Sequence, residues 1–278
     1  MSSPDANAAN GAAVPVLVDT HCHLDDPAFD LDRVEVLAAS ERAGVLGWVN
    51  IGFSPERWTS TVQLAHQTAG MLHALGVHPQ HAGDWSPSLK GALRTLLQTS
   101  GAVAVGEIGL DYFRGTQDRK TQRRVFAEQL DLSLELGMGV IIHQRAAEED
   151  MIAMLKDFPR DHPVLLHSFD AGENLAALAV ERQYFVGVGG LASRPMNGEL
   201  RHHLMTFSLD RIVLESDAPY LVPHGVAARR NTPAAVAKVA EFLAGQRGLS
   251  IDDVGARTNA SASTFFGAEL LANTASAS

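Results

Sequence analysis

Eight short runs of aliphatic and β-branched residues, each apolar almost throughout, constrain this chain more than any other feature. They lie at residues 14–20, 45–51, 71–77, 102–107, 139–143, 163–167, 184–189 and 211–216. A strand with one wet face alternates polar and apolar side chains, whereas a strand buried on both faces reads as a continuous apolar run. The second pattern belongs to parallel sheets covered by helices. The intervening stretches carry helix signals. Ser54 and Pro55 predict a helix start and Gly70 its end, and Ser86 with Pro87 opens another helix in the same way. Residues 118–137 place Val125, Leu130, Leu132, Leu134 and Leu136 partly on one face and stop at Gly137. Further helices are expected over 146–158, 174–182, 199–206 and 233–247.

Alternating strands and helices in this number specify an α/β protein, a single (β/α)8 TIM barrel. An open doubly wound sheet is the alternative, but no glycine-rich G-x-G-x-x-G turn follows the first run. The 278 residues suit one barrel, which commonly takes about 250. The barrel is expected over residues 14–268. Residues 1–13 and 269–278 are small and polar, with too little apolar surface to fold, and read as disordered tails.

Potential metal ligands gather at one end of these runs. His21 and His23 follow the first, Glu107 ends the fourth, His143 the fifth and His167 the sixth, and Asp217 follows the eighth. The C-terminal strand ends of a TIM barrel build its active site. In extended chain the side-chain period is two, so His21 and His23 face one side and Cys22 the other. Glu107 has two oxygens with which to bridge two ions. An unpaired Asp217 beside a buried strand would be costly. Imidazole with carboxylate suits Zn2+, Mn2+ or another first-row divalent cation, and Mg2+ favours oxygen ligands, so the metal stays open among these.

Charge and cysteine content narrow the classes further. With 22 Lys+Arg against 32 Asp+Glu the formal charge is −10, which argues against a protein that coats duplex DNA through many phosphate contacts. An enzyme that takes a strand end into a pocket is compatible with it. The single cysteine, Cys22, rules out an intrachain disulfide and a Cys-rich zinc site, and it reads as a small buried filler. No apolar run approaches the roughly 20 residues that span a bilayer. With no secretory leader visible, a cytoplasmic protein without membrane contact is expected.

At these residues the chain resembles the TatD family of metal-dependent deoxyribonucleases, within the amidohydrolase-like barrels. The matching stretches are DTHCHLD (19–25), ALGVHP (74–79), GEIGLDY (106–112), HQRAAEED (143–150), LLHSF (165–169), ESDAPYL (215–221), RRN (229–231) and TNASASTFFG (258–267). The resemblance implies a hydrolase of phosphodiester bonds, a deoxyribonuclease that could work as a 3'-5' exonuclease on single-stranded DNA or RNA. It implies one or two divalent cations, with His21, His23 and Asp217 on one, His143 and His167 on the other and Glu107 bridging. Many related amidohydrolases bridge with a modified lysine, and no lysine lies at these strand ends. Three departures bear on substrate preference more than on catalysis. Gln80 stands where members carry a second histidine, with His81 beyond it; Thr232 replaces an acid; and Gly172 falls one place late.

The expected chemistry is attack by metal-activated water, with Asp217 accepting its proton and Glu107 essential to the centre. His78, Arg145 and Arg230 are candidates to bind substrate phosphate, arginine for its planar, paired contacts to such groups. His66, His73, His81, His162, His202, His203 and His224 read as ordinary surface or core residues. Two competing readings share the metal site: hydrolysis of an amide, ester or lactone, and a non-enzymatic metal-binding partner protein.

Overall fold

The apolar runs pair in chain order, β1 to β8, as one parallel sheet in the computed structural model, which describes residues 14–115, 117–267 and 270–271. The strands are β1 (Leu17–Cys22), β2 (Val45–Gly52), β3 (Met71–Leu75), β4 (Val105–Asp111), β5 (Val140–Arg145), β6 (Val164–Leu166), β7 (Phe185–Val188) and β8 (Ile212–Leu214). Around them run α1 (Arg33–Arg42), α2 (Trp58–Gln67), α3 (Pro87–Thr99), α4 (Arg119–Leu136), α5 (Glu148–Leu155), α6 (Glu173–Glu181), α7 (Gly198–Leu204), α8 (Val236–Arg247) and α9 (Ile251–Phe266). The sheet meets itself at β1 and β8. Asp217 N–H donates to the His21 carbonyl at 2.9 Å and His23 N–H to the Ala218 carbonyl at 2.8 Å. Thr20 Oγ1 donates to the Leu214 carbonyl at 2.9 Å. These bonds make a (β/α)8 barrel of what would otherwise be an open sheet.

Two apolar layers follow from the alternation along each strand. One side chain set packs outward against the helices: Leu17, Cys22, Val45, Leu75, Val105, Ile108, Val140 and Ile142 meet Trp58, Leu93, Val125 and Phe126. The other set fills the interior: Val18, Val49, Ala74, Ala104, Ile141, Leu165, Phe185 and Val213. Phe265, Phe266 and Leu270, at the end of α9 and just beyond it, belong to this inner cluster and stop the lower end of the barrel. The core is thus apolar at the foot, and the polar residues collect at the mouth.

Two irregularities decide which side chains reach that mouth. Between β4 and β5, Gly106 pairs with Ile141 and Ile108 with Ile142, so Glu107 is an extra residue on its strand. Val105 and Ile108 both face the helices, and the extra residue turns Glu107 inward where unbroken alternation would turn it out. A second shift, between Asp19 and Cys22 of β1, does the same for His21. Gly109, at φ 137°, sits so close to β5 that a Cβ would lie 2.1 Å from the His143 carbonyl oxygen, which is how those strands can approach here.

Ser86 and Asp118 cap α3 and α4, accepting from Leu89 N–H at 3.2 Å and Thr121 N–H at 3.0 Å, and Gly137 ends α4 in the left-handed region. The helix expected from Ser54 begins only at Trp58, because residues 54–57 form a turn closed by Arg57 N–H on the Ser54 carbonyl at 2.9 Å. The first strand starts later than its apolar run, and Val14 is exposed. Helices α1 and α9 were not expected. The first mixes charged with apolar residues and buries only Val36 and Ser40; the second is made largely of small residues over 255–263. The tail expected at 1–13 and most of that at 269–278 lie outside the described residues.

His73 on β3 faces the helices, where its Nε2 meets Ser100 Oγ at 2.9 Å. Burial, helped by nearby His66, lowers its pKa from 6.5 to about 4. The folded chain therefore binds this proton less readily than the unfolded one. Its contribution to stability is full above pH 6.5 and is lost as pH falls toward about 4. Denaturant titrations should show His73→Gln removing on the order of 3 kcal/mol of acid-dependent destabilisation across that window; parallel profiles for the two proteins would contradict this.

Candidate metal centre

Glu107 is the hub. It is 4% exposed, and its carboxylate lies 2.6 Å from His143 Nδ1, 3.4 Å from His21 Nε2, 3.7 Å from His78 Nε2 and 3.8 Å from His167 Nε2. Burial alone would raise a carboxylate's pKa. The nearby imidazoles of His78, His167, His143 and His21 outweigh it and hold Glu107 well below the usual range. Asp217 lies 3.3 Å from His23 Nε2, 3.7 Å from His167 Nε2 and 4.0 Å from His21 Nε2. It holds φ at 56°, a costly left-handed conformation for a residue with a Cβ. Tyr220 N–H on the Asp217 carbonyl, at 2.8 Å, and the two bonds at the barrel seam keep it there.

The imidazoles are oriented from behind. The Nδ1 of His23 meets the Ile51 carbonyl at 3.1 Å, which leaves Nε2 to face the mouth. His167 Nδ1 lies 3.1 Å from Glu215, whose same oxygen accepts from Ser168 N–H at 2.6 Å. Burial opposes a charge on His167, but Glu215, Glu107 and Asp217 raise its pKa to about 10. His143 Nε2 lies 3.3 Å from Asp111, and burial is likewise outweighed there by the bonds to Asp111 and Glu107, which raise its pKa. His21 and His78 move the other way, pushed down by burial and then by His167 and His143 respectively. His78 Nδ1 accepts from Gln80 N–H at 3.1 Å, so its Nε2 carries the hydrogen and turns it toward Glu107.

Two sets of ligand atoms have all members within 4.8 Å of one another and share this centre: His21, His23 and Asp217, and Glu107, His143 and His167. Two further sets, His78 with Asp111 and His143, and His21 with His167 and Glu215, overlap them. Neither ring nitrogen of His21 has a well-aligned hydrogen-bond partner although both are buried, and the same is true of Glu215 Oε2. Buried polar atoms left open in this way, among imidazoles and carboxylates, fit one or two divalent first-row cations.

All six expected ligands thus come together, and they line or adjoin a cleft of about 400 Å³ at the barrel mouth. His78 and Arg145 line it as well, with Arg114, Arg194, Phe53 and Tyr220. Arg230 does not. It makes paired bonds to Asp32 at 3.0 and 2.7 Å and stacks on Phe29, so its guanidinium is already committed. The cleft lining therefore lends no support to Arg230 as a phosphate contact. Asp111 and Glu215 were not singled out from sequence, although GEIGLDY and ESDAPYL contain them. The usable signal was a carboxylate within four residues of a ligand, on a strand too apolar to tolerate it unpaired. Arg194 had no such signal.

A (β/α)8 barrel whose mouth sets four histidines about a buried glutamate defines the class of metal-dependent hydrolase barrels. Residues 18–267 match the family model described as TatD related DNase, and the chain belongs to that family. It is 32% identical over 260 residues to the 3'-5' ssDNA/RNA exonuclease TatD of Klebsiella pneumoniae, covering 91% of this chain and 99% of that protein. A Bacillus subtilis relative, the uncharacterized metal-dependent hydrolase YabD, is 27% identical over 252 residues, 90% of this chain and 99% of its own. The crystal structure of YJJV, a TatD homolog from Escherichia coli K12, superposes with a TM-score of 0.84 at 29% identity, covering 91% of this chain and 98% of that one.

Glu215 lies against His167 without being one of the six expected ligands, so it provides a test of how far this support matters. Glu215→Gln should weaken binding of Mn2+ or Zn2+ by 10–100-fold in calorimetric titration while circular dichroism stays native. Unchanged affinity would show that His167 needs no such partner.

Proposed function

We propose that this chain is a metal-dependent nuclease that hydrolyses phosphodiester bonds, taking strand ends of single-stranded DNA or RNA into the barrel mouth as a 3'-5' exonuclease. The observation that carries the reading is the pair of ligand sets meeting at Glu107 beneath a cleft lined by arginines. The names of the enterobacterial relatives support the substrate class. In this reading His21, His23 and Asp217 would hold one cation and His143 and His167 a second, with Glu107 contributing to both. Bound cations would supply Lewis acidity and lower the pKa of water toward 7.

The chain's own groups account for the rest. Asp217 keeps its carboxylate ionised against burial, through the bond from His23 and the charges of His167 and His23. It faces the cleft and takes the proton of the attacking water. Arg145, Arg114 and Arg194 meet the phosphate oxygens, and their positive charge grows in value as charge builds on phosphorus. His78 stands behind Glu107 with its hydrogen on Nε2 and fixes that carboxylate. A cytoplasmic setting belongs to the same proposal and rests on the lone buried Cys22, which leaves no disulfide to maintain. Among the described residues no helix is long and apolar enough to cross a membrane.

Chelator-treated protein should lose cleavage of single-stranded oligonucleotides and regain it on adding Mn2+, Mg2+ or Zn2+. Glu107→Ala should lower turnover by more than the 10–100-fold typical of an outer-sphere partner, with the fold intact. Full activity after chelation, or near-native turnover of the variant, would overturn the proposal.

A further inference from the structure

Phe113 is 68% exposed, an unusual place for a large aromatic ring beside a polar cleft. Chain mobility does not explain it. The N–H groups of Phe113 and Arg114 donate to Asp111 Oδ1 at 3.0 and 2.9 Å, and Tyr112 N–H donates to the Arg145 carbonyl at 2.9 Å. Tyr112 Oη donates to Asp150 at 2.5 Å, which ties the loop after β4 to the start of α5, and Arg123 holds the other Asp150 oxygen at 3.1 Å. Asp111 Oδ2 in turn lies 3.3 Å from His143 Nε2. One buried carboxylate therefore fixes both the ring-bearing loop and a histidine of the metal centre.

Among the described residues the ring has one cationic partner. The Arg145 guanidinium sits 4.1 Å from its centroid, and among the described residues no carboxylate pairs with Arg145. Arg145 and Arg114 both line the cleft, so the ring stands beside it with a cation against one face and most of its surface exposed. A single exposed phenylalanine is ordinary on a protein surface. One that is braced, backed by an unpaired arginine and set beside a cleft that holds two further arginines is suited to a flat aromatic ligand joined to a phosphate.

Resting on the nuclease reading, we propose that Phe113 and Arg145 form a shelf for a nucleobase of the bound strand. A base stacks on the open part of the Phe113 ring, while the adjoining phosphates enter the cleft between Arg145 and Arg114. Stacking tolerates any base, since each has a flat face, and it favours an unpaired end, because a base inside a duplex has both faces covered. Phe113 then sets specificity for single strands, and Asp111 is a positioning residue that keeps the shelf in register with the metal centre.

The test compares a single-stranded deoxyoligonucleotide with an abasic strand of the same length, both cleaved by metal-loaded enzyme. Phe113→Ala should raise KM for the normal strand about tenfold, with kcat within twofold and KM for the abasic strand unchanged. Phe113→Trp should restore the native KM. An unchanged KM on the normal strand, or an equal rise on both strands, would overturn the shelf while leaving the nuclease reading intact. If native enzyme cleaves neither strand, the nuclease reading fails, and the shelf with it.

Discussion

A carboxylate removed from water must be paired or hydrogen-bonded, and the mouth of this barrel is arranged around that requirement. Glu107 has its nearest imidazole at 2.6 Å and three more within 3.8 Å. The extra residue on β4 turns it toward the axis, against the outward course of its neighbours Val105 and Ile108. A strand without that irregularity would deliver Glu107 to the helix layer. The four histidines would then keep Asp111, Glu215 and Asp217 beside them but lose the one carboxylate that all four share.

The fold and the site share their hydrogen bonds. The seam between β1 and β8 is closed partly by the backbones of His21, His23 and Asp217, which are also expected ligands. Loosening the seam would therefore disturb the centre directly. Further support comes from the loop after β1, where Asn50 accepts from Leu24 N–H at 2.7 Å and donates to Asp25 at 3.2 Å, and Arg57 pairs with Asp25 at 3.2 Å. At the opposite end, Phe265, Phe266 and Leu270 fill the barrel foot with apolar volume. That division leaves one polar, accessible mouth above a rigid base, as suits groups that must hold position within fractions of an ångström.

Much of this was legible in sequence, for physical reasons. Buried parallel strands read as apolar runs, so the eight-stranded barrel followed from their number, and His143, His167 and Asp217 stood out because they interrupt such runs at one end. The same-side placement of His21 and His23 held, their rings lying 5.0 Å apart, since the irregularity in β1 precedes Cys22. Extra residues in a strand leave no compositional trace, so the inward turn of Glu107 could not be read from alternation. The pairing of Arg230 with Asp32 was not legible, because charge alone does not reveal a partner almost two hundred residues away. Helix α9 was hidden by its small residues, the property that lets it approach the barrel: a Cβ on Gly255 would lie 2.9 Å from the Val16 carbonyl oxygen.

The central claim is that these ligand atoms converge on divalent cations, and diffraction at a metal's absorption edge tests it directly. Crystals grown with Mn2+ or Zn2+ should show anomalous peaks at the barrel mouth, about 2.0–2.2 Å from a Glu107 oxygen and from nitrogens of the neighbouring histidines. Full-strength peaks elsewhere on the protein, with none beside Glu107, would contradict the account.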